Sequence, residues 1–154
     1  MENKTKGSGE NPEGIDETAN KADFILVDIP GAKFKMKKRL ELDEEGKRIT
    51  NISSEDAIKK LARMGYRLMT KHELFAMRDH AIKELPEGWR DYKKVEKLFG
   101  IGDFGLNEWI YDCDEVAGLR WNIGAGAGPF CAYLDCVPGS TRCDVGFHCC
   151  RDVP

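Results

Sequence analysis

No apolar run in the 154-residue chain approaches the roughly 20 residues that a membrane span requires. The N-terminus also lacks the apolar h-region of a secretory leader. The chain is expected to be soluble as it stands, and action outside a cell would need a larger particle to carry it or a leader already removed. An excess of basic charge is missing too. The formal net charge is -3 and the pI about 5.7, which excludes the electrostatic footprint of a nucleic-acid binder. The one basic stretch, Lys33, Lys35, Lys37, Lys38 and Arg39, is interleaved with Ala32, Phe34 and Met36 and reads as the wet face of a strand. No C-x-x-C pair occurs among the six cysteines, Cys113, Cys131, Cys136, Cys143, Cys149 and Cys150. A structural zinc site is therefore unsupported. With no sign of an oxidising compartment, the expectation is free thiols, some of them buried as small hydrophobes.

One further absence is local. Lys, Glu and Met supply 34 of residues 1–120, a rate that would put about nine in residues 122–154, yet that segment has none. A compact core depletes charge, but Arg142, Arg151, Asp135, Asp144 and Asp152 are all present. The segment accepts charge and excludes particular residue types, and no physical preference separates Asp from Glu so sharply on a wet surface.

The length suits one domain with a substantial core. Apart from Met1, residues 1–21 hold a single sizeable apolar side chain, Ile15, and no aromatic. They cannot bury enough surface to offset their ordering entropy, so a flexible tail is expected there, with the domain over 22–154. Phe24 to Ile29 is a β-type run closed by Pro30-Gly31, and the alternating segment after it completes a hairpin. Ser53 with Asp56 opens a helix carrying Ala57, Ile58, Leu61, Ala62 and Met64, which Gly65 stops. Thr70 with Glu73 is a full capping box ahead of Leu74, Phe75, Met77 and Ile82, and Pro86 ends that helix. His72 and His80 on it are expected to be solvated. Residues 86–105 read as loops with a short helix, and from Asn107 onward the texture is irregular, loop-rich β. Trp109 and Trp121 sit at apolar positions and are assigned to the core. Vicinal Cys149 and Cys150 should point to opposite sides of the last strand.

Six pieces, in order, resemble the formylglycine-generating-enzyme-type domains. They are Phe24-Ile-Leu-Val-Asp-Ile-Pro-Gly31, Ser54-Glu-Asp-Ala57, Gly65-Tyr-Arg-Leu-Met-Thr70 with Glu73, Asn107-Glu-Trp109 with Asp112, Gly118-Leu-Arg-Trp-Asn122, and Gly146-Phe-His-Cys-Cys-Arg151. The resemblance spans about residues 22–151 and implies an α+β C-type lectin fold: a twisted antiparallel sheet, two helices and a loop-rich C-terminal half. Those enzymes use two cysteines a few residues apart after the tryptophan strand. Here only Cys131 is available, while the partner position falls among Ile123, Gly124, Ala125, Gly126 and Ala127. A copper-thiolate site with one thiolate has lost its chemistry. The E-P-N and W-N-D signatures of calcium-dependent sugar binding are absent as well. No cofactor, metal or catalytic residue is therefore expected.

A second resemblance covers the anomalous segment. Trp121-Asn-Ile-Gly-Ala-Gly-Ala-Gly-Pro-Phe130, Leu134-Asp-Cys-Val-Pro138 and Val145-Gly-Phe147 are similar to the variable region of diversity-generating-retroelement proteins. In that family, template adenines are randomised, mostly at AAY codons, which can never become Lys, Glu, Gln, Met or Trp. The resemblance implies a variable region of about 121–148, with Ile123, Gly126, Tyr133, Asp135, Cys136, Ser140, Arg142, Cys143 and Asp144 as variable ligand-contacting positions. His148, and Cys131 beside it, are further candidates. Gly124, Ala127, Gly128, Phe130, Leu134, Pro138, Gly146 and Phe147 would be the fixed scaffold. A rigid scaffold presenting mixed aromatic and polar side chains has the chemistry of a paratope. The expectation is a non-enzymatic binding protein displayed on a virion or cell surface. Its partner would be a protein or other macromolecule on a host or target cell, with no nucleic acid and no membrane insertion. An oxidase of the formylglycine-generating type, built on Cys131, and a fixed structural or assembly domain of the same fold are the alternatives.

Overall fold

The computed structural model describes residues 24–104, 107–114, 119–123, 130, 132–136 and 145–154. The tail expected over residues 1–21 lies outside them. The described elements form an α+β fold: strands β1 (Phe24–Ile29) and β2 (Ala32–Leu40), helices α1 (Ser54–Ala62), α2 (Lys71–Glu84) and α3 (Tyr92–Phe99), and strands β3 (Asn107–Asp114), β4 (Leu119–Ile123), β5 (Ala132–Cys136), β6 (Val145–Gly146) and β7 (His148–Asp152).

β1 and β2 make the expected hairpin, from Phe24 opposite Lys37 to Ile29 opposite Ala32. Only Pro30 and Gly31 remain for the turn. Proline presets the first turn dihedral, and Gly31 takes the positive φ of 91° that the second requires. β7 adds antiparallel to β2, giving a sheet in the order β1-β2-β7. The second sheet runs β5-β4-β3-β6, antiparallel except where β6 lies parallel to β3.

Each helix starts where its side chains can satisfy the free N–H groups of the first turn. Ser53 Oγ accepts from the Asp56 amide at 3.0 Å. At α2, Thr70 Oγ1 accepts from the Glu73 amide at 3.1 Å, and Glu73 Oε1 accepts from the Thr70 amide at 2.9 Å. α3 is a third helix where the resemblance implied two. Asp91 caps it through the Lys93 and Lys94 amides, and Gly100 ends it in the left-handed conformation.

The period-2 alternation of β1, β2 and β7 divides the core into two clusters. Val27, Phe34, Met36 and Cys150 face Leu74, Met77 and Ala81 of α2, together with Val95, Ile101, Phe104, Ile110 and Phe130. Phe24 and Cys149 belong to the other cluster, with Ala57 and Leu61 of α1, Leu68, Trp109, Val145 and Phe147. Cys149 and Cys150 thus point to opposite sides of β7, and both sides are buried. The lysine face of β2 is wet only in part. Lys33, Lys38 and Arg39 are exposed, whereas Lys37 lies over the Phe24 ring and pairs with Glu41 at 3.1 Å. Of the two histidines of α2, His72 is exposed as expected, with Nε2 2.7 Å from the Gly31 carbonyl, whereas His80 is half-buried and its ring packs on Phe99.

Candidate functional site

The expected ligand surface centres on β4, β5 and the segments that flank them. Cross-strand register aligns Trp109, Asn122 and Tyr133 in one row over β3, β4 and β5, and Glu108, Ile123 and Ala132 in the next. Cys136 stands opposite Arg120, and Asp135 falls in the register shift between that pair and Trp121–Leu134. Ile123, Tyr133, Asp135 and Cys136 are therefore brought onto two neighbouring strands. Gly126, Ser140, Arg142, Cys143, Asp144 and Cys131 lie outside the described residues, as do the scaffold positions Gly124, Ala127, Gly128 and Pro138.

Beneath this region the backbone is firmly anchored. Trp109 is fully buried, and its indole N–H donates to the Ile52 carbonyl at 3.0 Å. Phe130 is buried against Phe99 and Phe104. Val145 and Phe147 are buried on the α1 side, and the Phe147 carbonyl accepts from the Glu41 amide at 2.8 Å. Gly146 is closely packed: an added Cβ would lie 3.3 Å from Leu40 Cδ1 and 3.4 Å from the Ile49 carbonyl oxygen. Of the expected scaffold, Phe130, Gly146 and Phe147 are thus packed inside.

His148 is not a surface residue, which corrects its assignment to the ligand-contacting set. It is 1 % exposed, and its immediate partner Glu108 is also 1 % exposed. His148 Nδ1 lies 2.9 Å from both Glu108 carboxylate oxygens, and Nε2 lies 2.9 Å from the Gly102 carbonyl. The Phe104 ring packs against the imidazole at 5.7 Å between centroids. Burial alone would lower the histidine pKa, but the Glu108 charge and hydrogen bond, with the Gly102 carbonyl and Asp103, outweigh it and hold the value above the ordinary one. That a codon could vary to His says nothing of where the backbone places it. His148 lies within the run Val145 to Cys150, in which every residue is buried; in the sequence, the apolar and cysteine neighbours Val145, Phe147, Cys149 and Cys150 were the available sign of it.

A second polar network ties the chain's end to the helical layer. Arg67 donates to both Glu73 oxygens at 2.8 and 2.6 Å and to Asp152 Oδ1 at 2.9 Å. Its guanidinium is held above its usual range, chiefly by the Glu73 hydrogen bond working against burial. The backbones of Arg67 and Cys150 exchange two hydrogen bonds of 2.8 Å. Glu73 therefore serves both the helix cap and the C-terminal strand, a double role that its capping-box spacing alone does not reveal.

The buried thiols are poor nucleophiles. Desolvation pushes Cys149 up to about 12 and Cys150 well above the ordinary thiol value, and the thiolate is the reactive form. Among the described residues no group of three or more His, Cys, Asp or Glu is placed to hold a metal ion, and no helix is long and apolar enough to cross a membrane. No protein-family model, no curated protein and no solved structure matches the chain.

Proposed function

We propose that this chain is a ligand-binding protein of the C-type lectin fold, formylglycine-generating-enzyme subtype, whose C-terminal surface is diversified by a retroelement. The observation that carries the reading is compositional. Residues 122–154 contain no Lys, Glu or Met, all frequent before them, while Arg and Asp persist. Those three are among the types that randomised AAY codons cannot produce. The α+β architecture, with two sheets that are antiparallel but for β6, is compatible with the fold. The buried Phe130 and Phe147 and the crowded Gly146 support the scaffold half of the division. The binding set is Ile123, Gly126, Tyr133, Asp135, Cys136, Ser140, Arg142, Cys143 and Asp144, without His148. Its partner is a macromolecule on a host or target cell, engaged from a virion or cell surface. Tyr133 would supply the rigid aromatic contact, with Arg142, Asp135 and Asp144 as the charged ones.

A display library tests this. The nine positions are randomised with AAY-derived codons in one library, and Phe130, Gly146 and Phe147 in another. Most members of the first should stay resistant to protease, and panning on intact cells should enrich different members on different cell types. Members of the second should be digested. A first library that loses its fold, or that enriches nothing on any cell type, contradicts the reading.

A further inference from the structure

We propose that Glu108 and His148 form an internal ion pair that positions the chain where it enters β7. β6 is two residues long, and among the described residues it pairs with β3 through Asn107–Val145 and Glu108–Gly146, while Val145 and Phe147 bury the chain on the α1 side. Glu108 is a member of that short ladder, and His148 begins the next strand, so their contact ties the C-terminal end of β6 to β3.

The geometry determines the charge state. Both imidazole nitrogens face acceptors: Nδ1 the Glu108 carboxylate, Nε2 the Gly102 carbonyl. Beside an ionised Glu108, a neutral imidazole, with one donor and one lone pair, would set a buried lone pair against an oxygen. The imidazolium satisfies both contacts and balances the Glu108 charge. The charged groups facing it are Glu108 from β3 and Asp103 from the segment before β3. From β2 the cross-strand neighbour is Leu40, whose amide donates to Asp103 Oδ2 at 3.0 Å, and the Phe104 ring closes another side. The Gly102 amide in turn donates to the Lys38 carbonyl, so the acceptor opposite Nε2 is itself fixed to β2. Glu108 and His148 are positioning residues on this account and touch no ligand.

Two measurements on the full chain test the proposal. In protein labelled with 15N at histidine, the His148 ring should show two protonated nitrogens at neutral pH; one unprotonated nitrogen overturns the ion pair. Hydrogen exchange then compares the unmodified chain with Glu108→Gln, which keeps the shape and removes the charge. The Glu41 amide, bonded to the Phe147 carbonyl, should exchange on the order of a hundredfold faster, as expected for one partner lost from a buried pair. Amides within α2, such as those of Met77 and Ala81, should be unchanged. No change at Glu41 overturns the positioning role. An equal rise at Glu41 and in α2 reduces the pair to a global stabiliser and overturns it too. If Glu108→Gln does not fold, the ring protonation and the Glu41 exchange rate of the unmodified chain, followed as pH is raised to deprotonate His148, make the same decision. Neither measurement involves a ligand, so their failure and that of the display libraries are separate results.

Discussion

Replacing Phe147 by alanine separates scaffold from surface most sharply. The ring is fully buried among the cluster that contains Trp109, Leu68, Leu61 and Val145. Truncation removes the transfer free energy of the ring and leaves a cavity whose walls come from α1, β3 and the α1–α2 connector. These cannot all collapse together, and the expected cost is about 3–5 kcal/mol. Domains of this size are stable by roughly 5–15 kcal/mol, so the loss is a large fraction of the total. With an m-value near 2 kcal/mol per molar urea, the unfolding midpoint should fall by about 2 M at unchanged m. Asp135→Ala and Arg142→Ala serve as controls and should stay within about 0.5 kcal/mol of the parent, as surface substitutions do. Equilibrium urea unfolding followed by tryptophan fluorescence reads all three. A Phe147→Ala midpoint close to the parent's, or surface variants that unfold, would refute the division.

Other perturbations have expected outcomes of their own. Thr70→Ala removes the cap of α2 and frees the Glu73 amide, which should cost about 1 kcal/mol in thermal or urea unfolding; a neutral effect would show that Arg67 already holds Glu73 in place. Cys149 and Cys150 should resist a thiol reagent in the folded chain and react once denaturant is added, because both are buried and protonated; fast labelling of either without denaturant contradicts their placement. The raised His148 pKa makes stability depend on pH in one direction. Its contribution is fully present below about pH 6.5, the unfolded histidine value, and is lost as pH rises through the higher folded value. Urea midpoints measured across that window should fall with rising pH in the parent. The fall should be absent in His148→Gln.

Local chemistry made much of the fold legible. Pro30-Gly31 between two alternating runs specified the hairpin, and Ser53 and Thr70 marked two helix starts to the residue. α3 was harder to read. It is eight residues long, and its signals, Asp91 and Gly100, lie among other loop-forming residues. The opposed directions of Cys149 and Cys150 follow from strand alternation, but alternation alone does not say that α1 and α2 cover β7 on both sides. His148 shows the limit most plainly. The resemblance offered it as a surface position, whereas tertiary packing against Glu108, Gly102 and Phe104 puts it inside. Such a buried ion pair is invisible to periodicity because its partners are 40 residues apart. Of the ligand surface, the scaffold residues were the readable part, since Phe130 and Phe147 obey hydrophobic patterning. The proposed binding positions, such as Ile123, Tyr133 and Asp135, carry no such pattern.

Retroelement diversification can be read from many copies of the coding locus sequenced in a natural population. Substitutions should concentrate at positions 123, 126, 133, 135, 136, 140 and 142–144, never to Lys, Glu, Gln, Met or Trp, with Trp109, Phe130, Gly146, Phe147 and His148 constant. A uniform sequence, or variation spread evenly along the chain, would contradict it.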